Sequence, residues 1–181
     1  MSRNRLTVVL SQAPGKHPAK RSLEESIAAA LIMEPGLDVS IVPNLYDLDE
    51  NHTGRLYLTG VTGDLAVLTW HFPRAAYWLL DRIGVKGQEG VSQLKPATEE
   101  EDDEEAGEAS PAKGIGPVGE VPDRHIYGLD LRDFNNPDPF IAEIRRIAAE
   151  CRERNDRKTA ERANGSAPLL QLGAPAKPQV V

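Results

Sequence analysis

The sequence predicts an α/β protein in which helices cover both faces of a short parallel sheet of about four strands, in the order 2-1-3-4. Short, mostly apolar runs occur at residues 6–10, 39–42, 65–69 and 126–131. The first is rich in β-branched residues, as expected of a strand buried on both faces. Helical patterns separate most of these runs, and such alternation favours parallel pairing through right-handed crossovers. We expect the first and third strands to lie side by side at the centre of the sheet, with the second and fourth outside them.

The first strand leads into a loop at residues 11–21 that contains two prolines and a glycine. Ser22 and Glu25 have the spacing of a capping box, which predicts that the first helix begins with Ser22 as its N-cap. Pro35 and Gly36 predict its end, because neither residue continues a helix well.

The segment between the second and third strands is the least regular part of the predicted domain. Glycines interrupt it, and residues 55–59 alternate like a short strand or an irregular edge, so we expect at most a weak helix there. A clear helix follows the third strand, with Pro73 at its first position. The last helix begins after the fourth strand, with Asp138 as its cap.

An acidic run, EEEDDEE, occupies residues 99–105 and carries a charge of −7, equal to the net charge of the whole chain. A run of this kind repels itself and stays solvated. The surrounding residues hold many glycines and prolines, although Val85 and residues 91–94 could add a brief edge strand. The predicted organisation is a folded domain at residues 5–84 and 123–152, an acidic flexible insertion at residues 85–122 and a disordered tail at residues 153–181.

Composition narrows the classes of function. Cys151 is the only cysteine, so the chain can form no internal disulfide and cannot ligate an iron–sulfur cluster, which takes about four thiolates. No apolar stretch approaches the roughly 20 residues of a membrane span, and no basic stripe suited to nucleic acid is present. We therefore expect a cytoplasmic protein with no membrane or nucleic-acid partner; its oligomeric state stays open.

Candidate binding residues follow the first and third strands. Ser11, Lys16, Arg21 and Ser22 belong to the first loop and the predicted helix start, where a phosphate-bearing ligand could sit. Against this, the loop matches neither the Walker A nor the GxGxxG pattern, and its prolines remove N–H donors. The alternative is a loop without a ligand.

Three aromatic residues end the third strand: Trp70, His71 and Phe72. They could lie beside the planar ring of a ligand, or they could pack over the end of the sheet without binding a ligand. Because the loops after parallel strands leave the same sheet edge, we expect this loop and residues 11–22 to form the two walls of one crevice. The sequence shows no catalytic triad, no paired carboxylates and no metal-ligand spacing, so no catalytic or metal residues are assigned.

Several motifs resemble known families. A more distant resemblance is to flavodoxin-like proteins, especially NAD(P)H-dependent FMN reductases. It is carried by the strand–basic loop–helix unit at residues 6–33, Leu45-Tyr-Asp-Leu48 and Pro73-Arg-Ala-Ala-Tyr-Trp-Leu-Leu-Asp-Arg82. With Trp70-His-Phe-Pro-Arg-Ala75 and Ile126-Tyr-Gly-Leu-Asp-Leu-Arg132, the chain resembles the N-terminal region of bacterial [4Fe–4S] ferredoxin-family proteins over most of residues 5–150. The resemblance implies a flavodoxin-like three-layer sandwich.

The same resemblance implies an accessory domain associated with iron–sulfur electron transfer, whose partner is an iron–sulfur or other redox protein. Two alternatives stay open: an FMN-dependent NAD(P)H oxidoreductase and a non-catalytic protein-interaction scaffold. FMN is a possible cofactor, but no cofactor is firmly implied. If FMN binds, its site residues are Ser11, Lys16, Arg21, Ser22, Trp70, His71 and Phe72.

Overall fold

Five parallel strands form one sheet in the computed structural model, which describes residues 5–94 and 121–165, with side chains as far as residue 161. The strand order is β2-β1-β3-β5-β4. The strands are β1 (Leu6–Ser11), β2 (Leu37–Val42), β3 (Leu65–Thr69), β4 (Gln88–Gly90) and β5 (His125–Asp130). The helices are α1 (Pro18–Leu31), α2 (Thr53–Gly60), α3 (Pro73–Arg82) and α4 (Asp138–Gly165), with a 3-10 turn at Leu45–Asp47.

The predicted centre of the sheet is confirmed. β1 and β3 pair in parallel, with Val8 opposite Ala66 and Leu10 opposite Leu68. All four of these side chains are fully buried, because α1 and α4 cover one face of the sheet while α2 and α3 cover the other. β2 lies outside β1, and β5 lies outside β3, as expected.

The predicted four-strand count is wrong, because β4 adds a fifth strand outside β5. The sequence suggested an edge strand at residues 91–94, whereas the strand is Gln88–Gly90, which has no apolar pattern. Gly90 permits the close pairing, since a Cβ there would lie 2.5 Å from a ring carbon of Tyr127. Val85 is also buried, so residues 85–94 belong to the folded domain rather than to a flexible insertion.

The first helix begins earlier than the capping-box pattern predicted. α1 starts at Pro18, with His17 as N-cap, because proline is preorganised for the first helical position and needs no N–H partner there. Ser22 therefore lies inside the helix, where its carbonyl accepts a hydrogen bond from Ser26 Oγ at 2.7 Å.

A helix, α2, also replaces the strand-like segment expected at residues 55–59. His52 caps it by accepting a hydrogen bond from the Gly54 N–H at Nδ1, at 3.0 Å. Leu58 is fully buried against the sheet. Five alternating residues do not distinguish a strand from one face of a short helix, so the tertiary contact decides the structure.

The last helix extends to Gly165, so the expected disordered tail does not begin at residue 153. Arg154 and Lys158 tie this part of α4 to the domain through ion pairs with Asp64 and Asp123. The acidic run and residues 166–181 lie outside the described residues. In the described part of the chain, no helix is long and apolar enough to cross a membrane.

Candidate binding edge at the carboxyl ends of the strands

The carboxyl ends of β1, β2, β3 and β5 bring their following loops to one edge of the sheet. In parallel α/β sheets this edge is where ligands bind. Trp70 and Arg21, two of the predicted site residues, meet here through a third residue, Glu24. Lys16 lies in the exposed β1–α1 loop, and Ser22 is exposed on α1.

Glu24 is a buried carboxylate that joins the two predicted walls. The residue is 1% exposed. Oε1 accepts hydrogen bonds from the Ala13 backbone N–H at 2.6 Å and from Trp70 Nε1 at 2.8 Å. Oε2 accepts from the Arg21 guanidinium at 3.2 Å. The Glu24 carboxylate thus lies between the first loop and the aromatic loop and hydrogen-bonds to both.

Sequence reasoning missed Glu24, although a signal was present. The residue precedes Ile27 by three positions and Leu31 by seven, which places it on the apolar stripe of α1. A glutamate on such a stripe is rarely buried unless it has partners. The pattern therefore predicts that the carboxylate is buried, but it does not predict which groups hydrogen-bond to it.

Ser11 is fully buried and serves the fold internally. Its Oγ accepts a hydrogen bond from the Leu45 N–H at 3.1 Å and donates to the Pro43 carbonyl at 3.4 Å. These bonds tie the end of β1 to the turn after β2. The hydroxyl predicted to hold a phosphate is therefore already bonded on both sides.

His71 lies beside a second buried polar residue, Asn44. His71 Nε2 is 3.3 Å from Asn44 Oδ1, and the same oxygen accepts a hydrogen bond from the Tyr46 N–H at 2.9 Å. Because Oδ1 is an acceptor, a proton on Nε2 makes the imidazole a donor to it. This contact orients the ring at the edge, and no carboxylate among the described residues forms an ion pair with His71.

Phe72 is 66% exposed and lies under Arg132, whose guanidinium carbon is 3.8 Å from the ring centroid. Arg132 Nε also donates to Asp130 Oδ1 at 2.8 Å, and Arg132 Nη2 donates to Oδ2. This hydrogen bonding raises the pKa of Arg132 above its ordinary value. Asp130 itself is buried, and the Arg132 guanidinium pairs with its carboxylate.

An open groove continues from His71 along α3. It has a volume of about 690 Å³, and its lining includes Tyr46, Ala75, Trp78 and Leu79. Tyr46 is 72% exposed and Trp78 is 42% exposed. We call the groove residues Tyr46, His71 and Trp78, together with Phe72, which follows His71 in the chain, the aromatic surface.

A separate polar network lies at the opposite, amino-terminal end of the sheet. Asp64 accepts hydrogen bonds from the His125 backbone N–H and from Arg154 Nη2, both at 2.8 Å. Burial alone would raise the pKa of Asp64, but these hydrogen bonds hold it below its ordinary value.

Cys151 and Tyr127 pack beside this network. Burial raises the pKa of the Cys151 thiol to about 11 and that of the Tyr127 phenol to about 12. A neutral, buried thiol is a poor nucleophile. We therefore assign this end of the sheet to fold stability.

The carboxyl edge thus offers aromatic faces and cationic side chains, while its buried hydroxyl and carboxylate groups bond within the chain. No group of His, Cys, Asp and Glu residues suited to a metal ion occurs among the described residues. No protein-family model matches the chain, and the comparisons with curated proteins and with solved structures found no match either.

Proposed function

We propose that this chain is a non-catalytic, flavodoxin-like accessory module of iron–sulfur electron transfer, which docks onto a redox protein through its carboxyl edge and does not hold a flavin. The observation that carries the proposal is the position of Glu24, which accepts hydrogen bonds from the Ala13 N–H and the Trp70 indole and pairs with Arg21. We call this set of contacts the Glu24 clamp. A carboxylate that already occupies the crevice between the first loop and Trp70 leaves the edge as a surface for contact rather than a pocket for a ligand.

The residues at this edge are poorly suited to the phosphate of FMN. A phosphate monoester carries a charge of about −1.5 to −2 at neutral pH and would meet the Glu24 carboxylate. The Ala13 N–H and the Ser11 hydroxyl already have partners. Pro14 and Pro18 supply no N–H donors to the same loop and helix start.

Docking accounts for the aromatic surface instead. Tyr46 and Trp78 are exposed and line the same groove, and exposed Phe72 follows groove residue His71 in the chain. Exposed apolar side chains that lie together mark interaction sites. Tyrosine and tryptophan are among the residues that dominate binding energy at protein interfaces. The class of partner, an iron–sulfur redox protein, rests on the resemblance of residues 5–150 to the N-terminal region of ferredoxin-family proteins.

The first half of the test is a titration of FMN followed by flavin fluorescence. We expect no change at high micromolar protein, and saturable quenching would overturn the proposal.

The second half measures binding of a purified two-cluster [4Fe–4S] ferredoxin by biolayer interferometry. Phe72→Ala/Trp78→Ala is expected to weaken binding at least about tenfold, since two central aromatic anchors are lost. Met33→Ala is the control: it removes a side chain that is 86% exposed after the end of α1, and it should leave the affinity unchanged. Equal binding by all three proteins, or no binding, would contradict the proposal.

A further inference from the structure

The strand β2 forms one edge of the sheet and lacks most of the features that keep natural edge strands from pairing. Among the described residues it pairs with β1 alone, over six residues and without a bulge. Protected edges are usually short or carry lysine, proline or a bulge. The opposite edge, β4, is short, with three residues that include the exposed Glu89. The single charge of β2, on Asp38, is paired with Arg5 at 2.8 Å.

Alternate residues of β2 direct their backbone groups away from the sheet. The carbonyls of Gly36 and Val42 accept hydrogen bonds from N–H groups on the β1 side, both at 3.0 Å. Because the direction of these groups alternates along a strand, the even-numbered residues of β2 face β1, whereas Val39 and Ile41 face away from it. Outward N–H and C=O groups of this kind are a template for another strand.

Exposed apolar side chains flank this edge on both faces of the sheet. Val39 packs on the face that α1 and α4 cover, and Ile41, two residues further along the same face, is 49% exposed. On the other face Ser40 Oγ donates a hydrogen bond to the hydroxyl of Tyr57 at 2.8 Å, and Tyr57 is 38% exposed. Apolar groups beside an unpaired strand add to what a paired strand would gain.

We propose that β2 pairs with β2 of a second copy of this chain, antiparallel about a two-fold axis at Val39, so that two five-stranded sheets join into one. In this register Val39 lies opposite Val39 of the second copy, and Ile41 lies opposite Leu37 of the second copy. All of these side chains project from one face of the joined sheet. Such a contact is self-complementary, as a two-fold interface requires.

The same register suits the polar residues on the other face. Asp38 lies opposite Ser40 of the second copy, so the two Asp38 carboxylates do not oppose each other, which would destabilise the pair. The Tyr57 hydroxyl accepts from Ser40 and keeps its own proton to donate, with Asp38 of the second copy as the facing acceptor. The strand thus carries its own complement, and this favours a second copy over a different protein.

The pairing leaves the carboxyl edge of each sheet free. In an antiparallel pair the carboxyl ends of the two strands point in opposite directions, so the aromatic surfaces lie at opposite ends of the dimer. The dimer is therefore independent of the docking function proposed above, and it would present two docking edges.

Sedimentation equilibrium of the full chain tests the association, at concentrations up to about 500 µM because small interfaces associate weakly. We expect a reversible dimer. Ile41→Lys should raise its dissociation constant at least about tenfold, since lysine on an edge strand opposes pairing. Val91→Lys is the control, because Val91 follows β4 at the opposite edge and is 79% exposed; it should change the constant less than about twofold. A monomer throughout, or equal weakening by both variants, would overturn the proposal. Slow hydrogen exchange of the Val39 and Ile41 amides in such a monomer would assign the edge to another segment of this chain.

Oxidative cross-linking tests the register. In Val39→Cys the two Cα atoms would lie about 5.5 Å apart, as in a hydrogen-bonded antiparallel pair, which is within reach of a disulfide. In Ile41→Cys they would lie about 13 Å apart along the strands, at about 3.3 Å per residue. The native Cys151 is buried and serves as a common background. We expect a covalent dimer from Val39→Cys and little from Ile41→Cys. Equal cross-linking, or none by Val39→Cys at a concentration where the wild type is dimeric, would overturn the proposed pairing.

Discussion

Removing the Glu24 carboxylate should destabilise the domain more than any surface change on the same helix. Glu24→Ala deletes the acceptor of two N–H groups, from Ala13 and Trp70. A buried donor without a partner costs about 1–3 kcal/mol. The Trp70 indole is only partly buried, so water can satisfy it in part. We expect a loss of about 2–4 kcal/mol in the free energy of unfolding.

Glu24→Gln separates the hydrogen bonds from the charge. Its amide oxygen can accept both N–H groups, but bonds to a charged acceptor are stronger than neutral ones, so we expect a loss of about 1–2 kcal/mol. The ion pair between Glu24 and Arg21 adds little to the free energy of unfolding, because the arginine side chain is 37% exposed and solvent screens the interaction.

The assay for both variants is urea unfolding followed by tryptophan fluorescence, to which Trp70 contributes directly. Glu25→Ala is the control, since Glu25 is exposed on the same helix and its loss should change stability by less than about 0.5 kcal/mol. If Glu24→Ala had the same free energy of unfolding as this control, the hydrogen bonds to Glu24 would not stabilise the carboxyl edge of the sheet.

Three further predictions concern the rest of the domain. The Cys151 thiol should resist Ellman's reagent at pH 8 in the native protein and react after urea unfolding, because burial raises its pKa to about 11; rapid native labelling would contradict its buried placement. Gly90→Ala should cost about 1–3 kcal/mol by overpacking against the Tyr127 ring, whereas Gly60→Ala, with nothing within 4 Å of the added carbon, should be close to neutral; urea unfolding that showed equal effects would refute the close approach. Stability should fall in two stages on acidification. Burial and the Arg154 charge lower the pKa of His125 from its ordinary value of 6.5, so the unfolded chain takes up a proton first and stability declines below about that pH. The lowered pKa of Asp64 keeps its contribution intact above 3.8 and removes it below; a pH series of unfolding curves that stayed flat from 7 to 5, or a first stage that survived His125→Gln, would contradict this.

The centre of the sheet was predictable because double burial requires strands that are apolar throughout. β1 and β3 satisfy this requirement, and their parallel pairing followed from the helical patterns that separate most of the strands. The edge strand β4 was not predictable in the same way. Gln88 and Glu89 are exposed and Gly90 is half-buried. The pairing of this strand depends on the missing Cβ at Gly90 rather than on an apolar pattern.

The sequence predicted where the candidate site lies, but not which of its polar groups already bond within the chain. The sequence indicated that the first loop and the aromatic loop meet, and Trp70 and Arg21 do meet through Glu24. The use of Ser11 as an internal tie to Leu45 depends on a contact between residues 34 positions apart. Local patterns carry no information on such a contact, so the hydroxyl looked available for a ligand.

A spectrum of the backbone and indole N–H groups, recorded by nuclear magnetic resonance during addition of a two-cluster [4Fe–4S] ferredoxin, tests the docking edge most directly. The chain has two tryptophans, and Trp78 is exposed in the groove while the Trp70 indole is bonded to Glu24. We predict saturable shifts of the Trp78 indole and of residues 70–75, with residues 152–158 of α4 unchanged. Shifts centred on α4, or none at saturating ferredoxin, would contradict docking through the carboxyl edge.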